Sequence, residues 1–375
     1  MKVTVLMAVH NGEPYVREAV RSVLDQTYTD FELLVVDDAS TDRTVETVES
    51  FGDPRVRVVR NDVNVGQVPS LNRGLREARG EYVARLDADD ACLPTRLARQ
   101  VGVLDSEPRV CLVGTWLQAV DERGRHLGRL EKTLSDYVDF LYHTLIMRVY
   151  VSHPAAMYRR SPVLDLGGYD ESTAPSEDKD LWRKLALRRY EARIVPETLL
   201  LYRLHDEQLS QTQAAYQRRV DGESQDRFLE QLAPDAPATA VRSLLAGEAE
   251  AFDHDPLPAL HGVELVLDGA RAELALDADE TARLRARVLD RLLEVSALHP
   301  WRPAARAIAS YAIAQLAGDR RAAARRRYLA ALTAAPARSS GRGIVRLVAG
   351  VAPLRSRVRR SPLARRLYGR AIGSE

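Results

Sequence analysis

Asp87, Asp89 and Asp90 are the side chains best suited to chemistry, in the run Asp87-Ala88-Asp89-Asp90 directly after the apolar stretch 82–86. Three carboxylates at one turn repel each other unless something positive lies among them. Hard oxygen ligands in a loop suit Mg²⁺ or Mn²⁺, and such ions are usually shared with a substrate's phosphates. The run reads as a divalent-metal site holding a diphosphate, or as an acidic turn capping a helix that starts near Leu93-Pro94. A second acidic pair, Glu177-Asp178, follows Ser176 and precedes the helical stretch 181–186. A carboxylate there is either a cap favoured by the helix dipole or a general base. His205 stands alone in Tyr202-Arg203-Leu204-His205, and a lone histidine usually has no ligand role. Arg159-Arg160 reads as an exposed basic pair, with an acceptor or phosphate contact as the alternative.

The elements that must position these groups are legible upstream. Residues 3–9 (VTVLMAV) form a nearly continuous apolar run, as a strand buried on both faces should. His10-Asn11-Gly12 ends it, and Tyr15, Val16, Ala19, Val20, Val23 and Leu24 recur at helical spacing. A second buried strand, 31–36, ends in Asp37-Asp38, where Asp38 could cap the short helix around 45–48. A third strand is expected at 56–59, a loop at 61–66, and a helix at 68–79 ended by Gly80. Strands alternating with helices predict a parallel sheet with right-handed crossovers. Residues 8–11, Asp37-Asp38 and residues 87–90 then meet at the carboxyl edge, where open α/β sheets place ligands.

With these motifs the sequence resembles the family 2 inverting glycosyltransferases, which have the GT-A fold. The resemblance rests on VTVLMAVHNGEPYVREAVRSVLDQTYTDFELLVVDDASTDRT, NVGQVPSLNRGLREARGEYVARLDADD, HPAAMYRRSPVLDLGGYDE, SEDKDLWRKLA and YRLHDEQLS, within residues 2–212. It implies an α/β domain of the GT-A type, Rossmann-like, with a mostly parallel sheet and flanking helices. It also implies that Ala8, His10 and Asp38 line the pocket for nucleotide base and ribose, with Asp38 accepting from the base. Asp87 would hold ribose or donor sugar, Asp89 would bind Mn²⁺ or Mg²⁺, and His205 would close over the metal or diphosphate. Asp178 would be the base, with Glu177 and His153 on the acceptor side. The implied reaction moves a sugar from a nucleotide-sugar, by default a UDP-sugar, to a hydroxyl of a glycan or lipid-linked acceptor. The setting would be cell-surface polysaccharide, glycolipid or glycoprotein assembly. A nucleotidyltransferase, or an inactive sugar-nucleotide-binding module, is the rival reading. Only His10-Asn11-Gly12-Glu13 follows the first strand, without the Gly-rich, Lys-bearing signature of nucleotidyltransferases.

Length and composition bound the rest. The 375 residues allow more than one domain, and the division expected is 1–230 for the transferase domain, 231–335 for an α-helical region and 336–375 for a basic tail. Cys92 and Cys111 give neither a disulfide framework nor a metal spacing and read as packing residues. No apolar run approaches the ~20 residues of a membrane span, and an opening stretch that reads as a strand predicts no signal peptide. A cytoplasmic site is expected, peripheral at the inner face of the cell membrane. Residues 336–375 carry ten arginines and one acid, in a chain whose net charge is only +1. Apolar residues interleave with those arginines, which predicts contact between 344–370 and an anionic membrane surface, or else a solvated tail. No nucleic-acid partner is expected. Helices are expected over 281–298, 304–316 and 320–333.

Overall fold

The computed structural model describes residues 1–148, 151–205, 208, 213–300, 302, 304–316 and 328. The basic tail 336–375 and most of the helix expected at 320–333 lie outside the described residues. Among the described residues, contacts divide the chain into two units, one within 1–140 and 151–221, the other within 141–148 and 222–316.

The first unit begins β1 (Val3–Val9), α1 (Glu13–Leu24), β2 (Phe31–Asp37), α2 (Thr44–Glu49), β3 (Val56–Arg60), α3 (Gln67–Glu77), β4 (Tyr82–Arg85). Strands β3, β2, β1 and β4 lie side by side in that order, all parallel. Every residue of β2 is buried, as a strand covered on both faces requires. Val3, Val5 and Met7 share a cluster with Val16, Ala19, Val20 and Val23, so α1 covers one face. On the other face α3 comes so close that a Cβ on Gly74 would meet Leu6 Cδ1 at 2.2 Å. Each fully buried Val or Leu contributes about 1.5–3 kcal/mol to this packing.

The sheet continues through β5 (Ala91–Cys92), α4 (Arg96–Ser106), β6 (Val110–Asp121), β7 (His126–Leu130), α5 (Tyr137–Leu145), β8 (Met157–Arg159), α6 (Arg160–Asp165), α7 (Glu177–Leu187) and β9 (Glu191–Leu204). Among the described residues the sheet has nine strands, ordered β3-β2-β1-β4-β8-β6-β9-β5, with β7 on β6. This second half is mixed. β6 and β9 are parallel, while β4–β8, β6–β8, β6–β7 and β5–β9 are antiparallel. The register of β9 on β6 slips near Thr115 and Trp116, where Pro196, which has no N–H to donate, sits between Val195 and Thr198.

Two local expectations are corrected. α3 ends at Glu77, capped by Ala78, and Gly80 has a different task. A Cβ on Gly80 would lie 2.4 Å from Thr4 N, so only glycine allows this approach. Arg159 and Arg160 are not an exposed basic pair. Arg159 donates to Leu104 O and Val110 O, and Arg160 to Leu75 O and Arg76 O, so they bond the final carbonyls of α4 and α3.

The second unit is helical. After α8 (Ala214–Leu232) come α9 (Ala238–Ala246), α10 (Leu257–Glu273), α11 (Ala278–Leu298) and α12 (Ala305–Gln315). α11 starts one turn earlier than its apolar spacing suggests because Asp277 and Glu280 form a capping box. No described helix is long and apolar enough to cross a membrane.

Candidate active site

The parallel register aligns the carboxyl ends of β1, β2 and β4, pairing Val9 with Asp37 and Leu6 with Arg85. The residues that follow each strand share that edge. His10 is exposed, and its Nδ1 lies 2.8 Å from Asp38 O while its Nε2 lies 3.1 Å from Asn11 Nδ2. A carbonyl only accepts, so Nδ1 carries the proton and Nε2 accepts. Ala8, two residues earlier in β1, is half-buried.

Asp38 is buried and heavily bonded. Its Oδ1 accepts from Asn61 Nδ2 at 2.7 Å and Val65 N at 2.9 Å, and its Oδ2 accepts from Gly66 N at 2.8 Å. Burial alone would raise its pKa, but the Val65, Asn61 and Gly66 donors outweigh it and hold the carboxyl below its usual range. Asp38 caps no helix. Asp42 instead accepts from the first N–H of two helices, Thr44 N at 2.9 Å and Glu13 N at 3.0 Å.

The acidic run after β4 is not a cap either, since β5 intervenes and α4 starts only at Arg96. Asp87, Asp89 and Asp90 bring one oxygen each within 4.8 Å of one another. Asp87 forms an ion pair with the buried Arg85. Asp89 Oδ2 lies 2.9 Å from His205 Nε2, at the end of β9. Asp90 Oδ1 accepts from Arg203 N at 2.8 Å, and its Oδ2 is buried without a hydrogen bond. Burial raises the Asp87 carboxyl against the pull of Arg85, and raises Asp90 well above the usual range, with Asp89 and Asp87 adding to it. Burial opposes ionisation of Asp89 too, but the His205 hydrogen bond and charge hold it low. Three hard oxygen donors, one of them orphaned and buried, with an imidazole beside them, fit a divalent ion such as Mn²⁺ or Mg²⁺.

Glu177 and Asp178 are the first two residues of α7. Glu177 turns inward, 4% exposed, with Oε1 3.8 Å from His153 Nδ1 and Oε2 unbonded. Burial, then the charge of Asp178, pushes Glu177 up to about 7. His153 is buried, and its Nε2 shares a hydrogen bond of 2.9 Å with Tyr169 Oη, which bonds Tyr158 Oη at the same distance. Burial, aided by the Arg85 charge, lowers His153 well below the usual imidazole range. Asp178 is half-buried, and burial raises its carboxyl while Lys179 works the other way.

The structure thus brings Asp87, Asp89, Asp90 and His205 together, and sets Glu177 against His153. The sequence reading missed Arg85, Arg203 and Lys132. Burial lowers the Lys132 ammonium to about 8, opposed by the charge of Asp178. No motif spacing marks these three; an arginine two residues before a candidate ligand histidine was the one available signal. Cys92 and Cys111 are buried packing residues, the latter pushed up to about 12 by burial.

Residues 4–167 match the model of glycosyl transferase family 2. An uncharacterised glycosyltransferase of Methanocaldococcus jannaschii is 31% identical over 206 residues, which is 54% of this chain and 70% of that one. The O-antigen biosynthesis glycosyltransferase WbnJ of Escherichia coli is 28% identical, over 57% of this chain and 84% of its own. The crystal structure of S. aureus TarS residues 1–349 in complex with UDP-GlcNAc superposes with a TM-score of 0.53 at 20% identity, covering 84% of this chain and 90% of that one. That likeness supports a GT-A-like fold followed by a helical region. Together, the matched strands, the acidic turn and a relative aligned over most of its length lead to one assignment: the chain belongs to glycosyl transferase family 2.

Proposed function

We propose that the protein is a metal-dependent, inverting glycosyltransferase that moves a sugar from a UDP-sugar to an acceptor hydroxyl in cell-surface glycan assembly. One observation carries the reading. A turn of three carboxylates sits at the carboxyl edge of the sheet with His205 bonded to one of them, and Asp178 stands at a helix N-terminus in the same unit. Support for the donor comes from TarS, of the same fold, seen in complex with UDP and with UDP-GlcNAc. WbnJ, named for O-antigen biosynthesis, supports the acceptor class.

Asp89 and His205, with Asp87 and Asp90 beside them, would hold the ion. When bound, that ion supplies Lewis-acid neutralisation of the donor diphosphate. Ala8, His10 and the Asp38-pinned loop 61–66 would receive base and ribose, with Asp87 on the ribose or sugar. Asp178 takes the proton from the acceptor hydroxyl as its oxygen bonds the anomeric carbon. The bond from that carbon to the diphosphate oxygen breaks, and its electron pair leaves with the nucleoside diphosphate. One displacement with one base inverts the anomeric centre. A raised Asp178 suits this task, because a base closer to neutral accepts a proton more readily than an ordinary aspartate.

A thermal-shift panel of nucleoside diphosphates and nucleotide-sugars, with and without Mn²⁺, tests the reading. Ligand at about 100 times its dissociation constant adds about 2.7 kcal/mol to the folded state. The expected result is a Mn²⁺-dependent upshift with UDP and a UDP-sugar. No shift with any nucleotide would overturn the donor site. A shift with nucleoside triphosphates alone would favour a nucleotidyltransferase.

A further inference from the structure

Arg203, the penultimate residue of β9, bonds to the acidic turn and to the elements around it. Its side chain is 4% exposed. Nε donates to Asp89 O at 2.9 Å, Nη1 reaches Asp121 O and Glu122 O at 3.3 Å, and Nη2 reaches Glu18 Oε2 at 2.6 Å. Its backbone N donates to Asp90 Oδ1, and its carbonyl accepts from Gln208 Nε2 at 2.6 Å. The guanidinium lies 4.9 Å from the centre of the Tyr15 ring, and that ring lies 5.4 Å from the imidazole of His205.

These contacts tie four pieces of chain together: α1 through Tyr15 and Glu18, the acidic turn, the end of β6, and the end of β9. We propose that Arg203 is the positioning residue of the metal site, fixing the Asp89-Asp90 turn and His205 relative to each other. The inference rests on the metal reading above. The physical need is plain. Three carboxylates within 4.8 Å repel one another, so their turn does not hold its shape unaided. Arg85 offsets part of that repulsion through its ion pair with Asp87, and Arg203, bonded to the backbone of Asp89 and to the Asp90 carboxylate, sets the geometry of the turn. Only a planar fork can serve four acceptors in different directions, which a lysine ammonium cannot reproduce.

The test compares wild type, Arg203→Lys and Glu18→Gln in the full chain. Mn²⁺ is titrated calorimetrically in the presence of UDP. In parallel, UDP-sugar hydrolysis gives kcat at saturating Mn²⁺, and melting without ligand reports folding. Arg203→Lys should weaken Mn²⁺ binding by about tenfold or more, as loss of an outer partner of a metal site does. Its kcat at saturating Mn²⁺ should stay within about twofold, because no reacting group has changed. Glu18→Gln removes only the outer ion pair and should weaken Mn²⁺ binding about twofold. A purely structural role gives the opposite split, with kcat falling alongside the folded fraction and Mn²⁺ affinity unchanged. That split, or unchanged Mn²⁺ affinity in both variants, overturns the inference. If Arg203→Lys does not fold, Glu18→Gln decides alone. A wild-type chain that binds no Mn²⁺ overturns the metal reading first and this inference with it.

Discussion

Asp38 and Glu177 are both buried carboxylates, the latter followed by the half-buried Asp178, and they are treated oppositely. Asp38 accepts three hydrogen bonds from its own chain and is held below the usual range. Glu177 leaves one oxygen unbonded, and burial raises it and Asp178. A saturated carboxylate fixes a loop. An unsaturated one stores desolvation energy that a proton, a cation or a hydroxyl can relieve. Under the proposed function, Asp38 would fix the donor loop, while Asp178 and the acidic turn after β4 would do the chemistry.

The sharpest way to break the contrast is Asp178→Asn. Transfer should fall by about 10²–10⁴, the usual contribution of a positioned base, while UDP binding with Mn²⁺ stays within about threefold. Rates and calorimetry on the same sample check both halves. Next in size is Asp89→Ala, expected to weaken Mn²⁺-dependent donor binding by about 10²-fold, comparable to other losses at metal sites. Unchanged affinity would remove Asp89 from the site.

Glu177→Gln sharpens the comparison through stability. A carboxyl raised to about 7 binds its proton more tightly folded than unfolded. Its contribution is therefore present below the unfolded value of about 4 and lost as pH rises through about 7. The loss is of the order of 3 kcal/mol, so Glu177→Gln should melt higher than wild type at pH 8 and lose that advantage at pH 5. Equal differences at both pH values would place Glu177 in an ordinary, solvated setting. Smallest is Asp38→Asn, which keeps shape but loses charge-assisted acceptance at three donors. About 1.5–3 kcal/mol of stability should go, with slower growth in donor KM than in instability. A loss of turnover as deep as that of Asp178→Asn would erase the distinction between the two regions.

The legible half of the fold is the one built from continuous apolar runs. Residues 3–9 and 31–36 could only be strands covered on both faces, and the helices between them followed from spacing. The pairing of β6 with β9 was not legible. It joins segments some eighty residues apart, and Pro196 breaks the pattern of the second where the register slips. In the site, the acidic turn stood out because three carboxylates in four residues need a reason. Arg203 did not, because its work is done by bonds to carbonyls, and any residue can offer a carbonyl. The role first expected of Gly80, a helix stop, was really a close backbone approach, which no local pattern encodes.

Proton NMR of UDP-sugar breakdown with Mn²⁺, run on wild type and Asp178→Asn, reads the stereochemistry and the base together. The first sugar released by wild type should have the anomeric configuration opposite to the donor, and Asp178→Asn should bind UDP but release almost none. Release with the donor's own configuration, or full turnover by Asp178→Asn, would contradict a single displacement with Asp178 as its base.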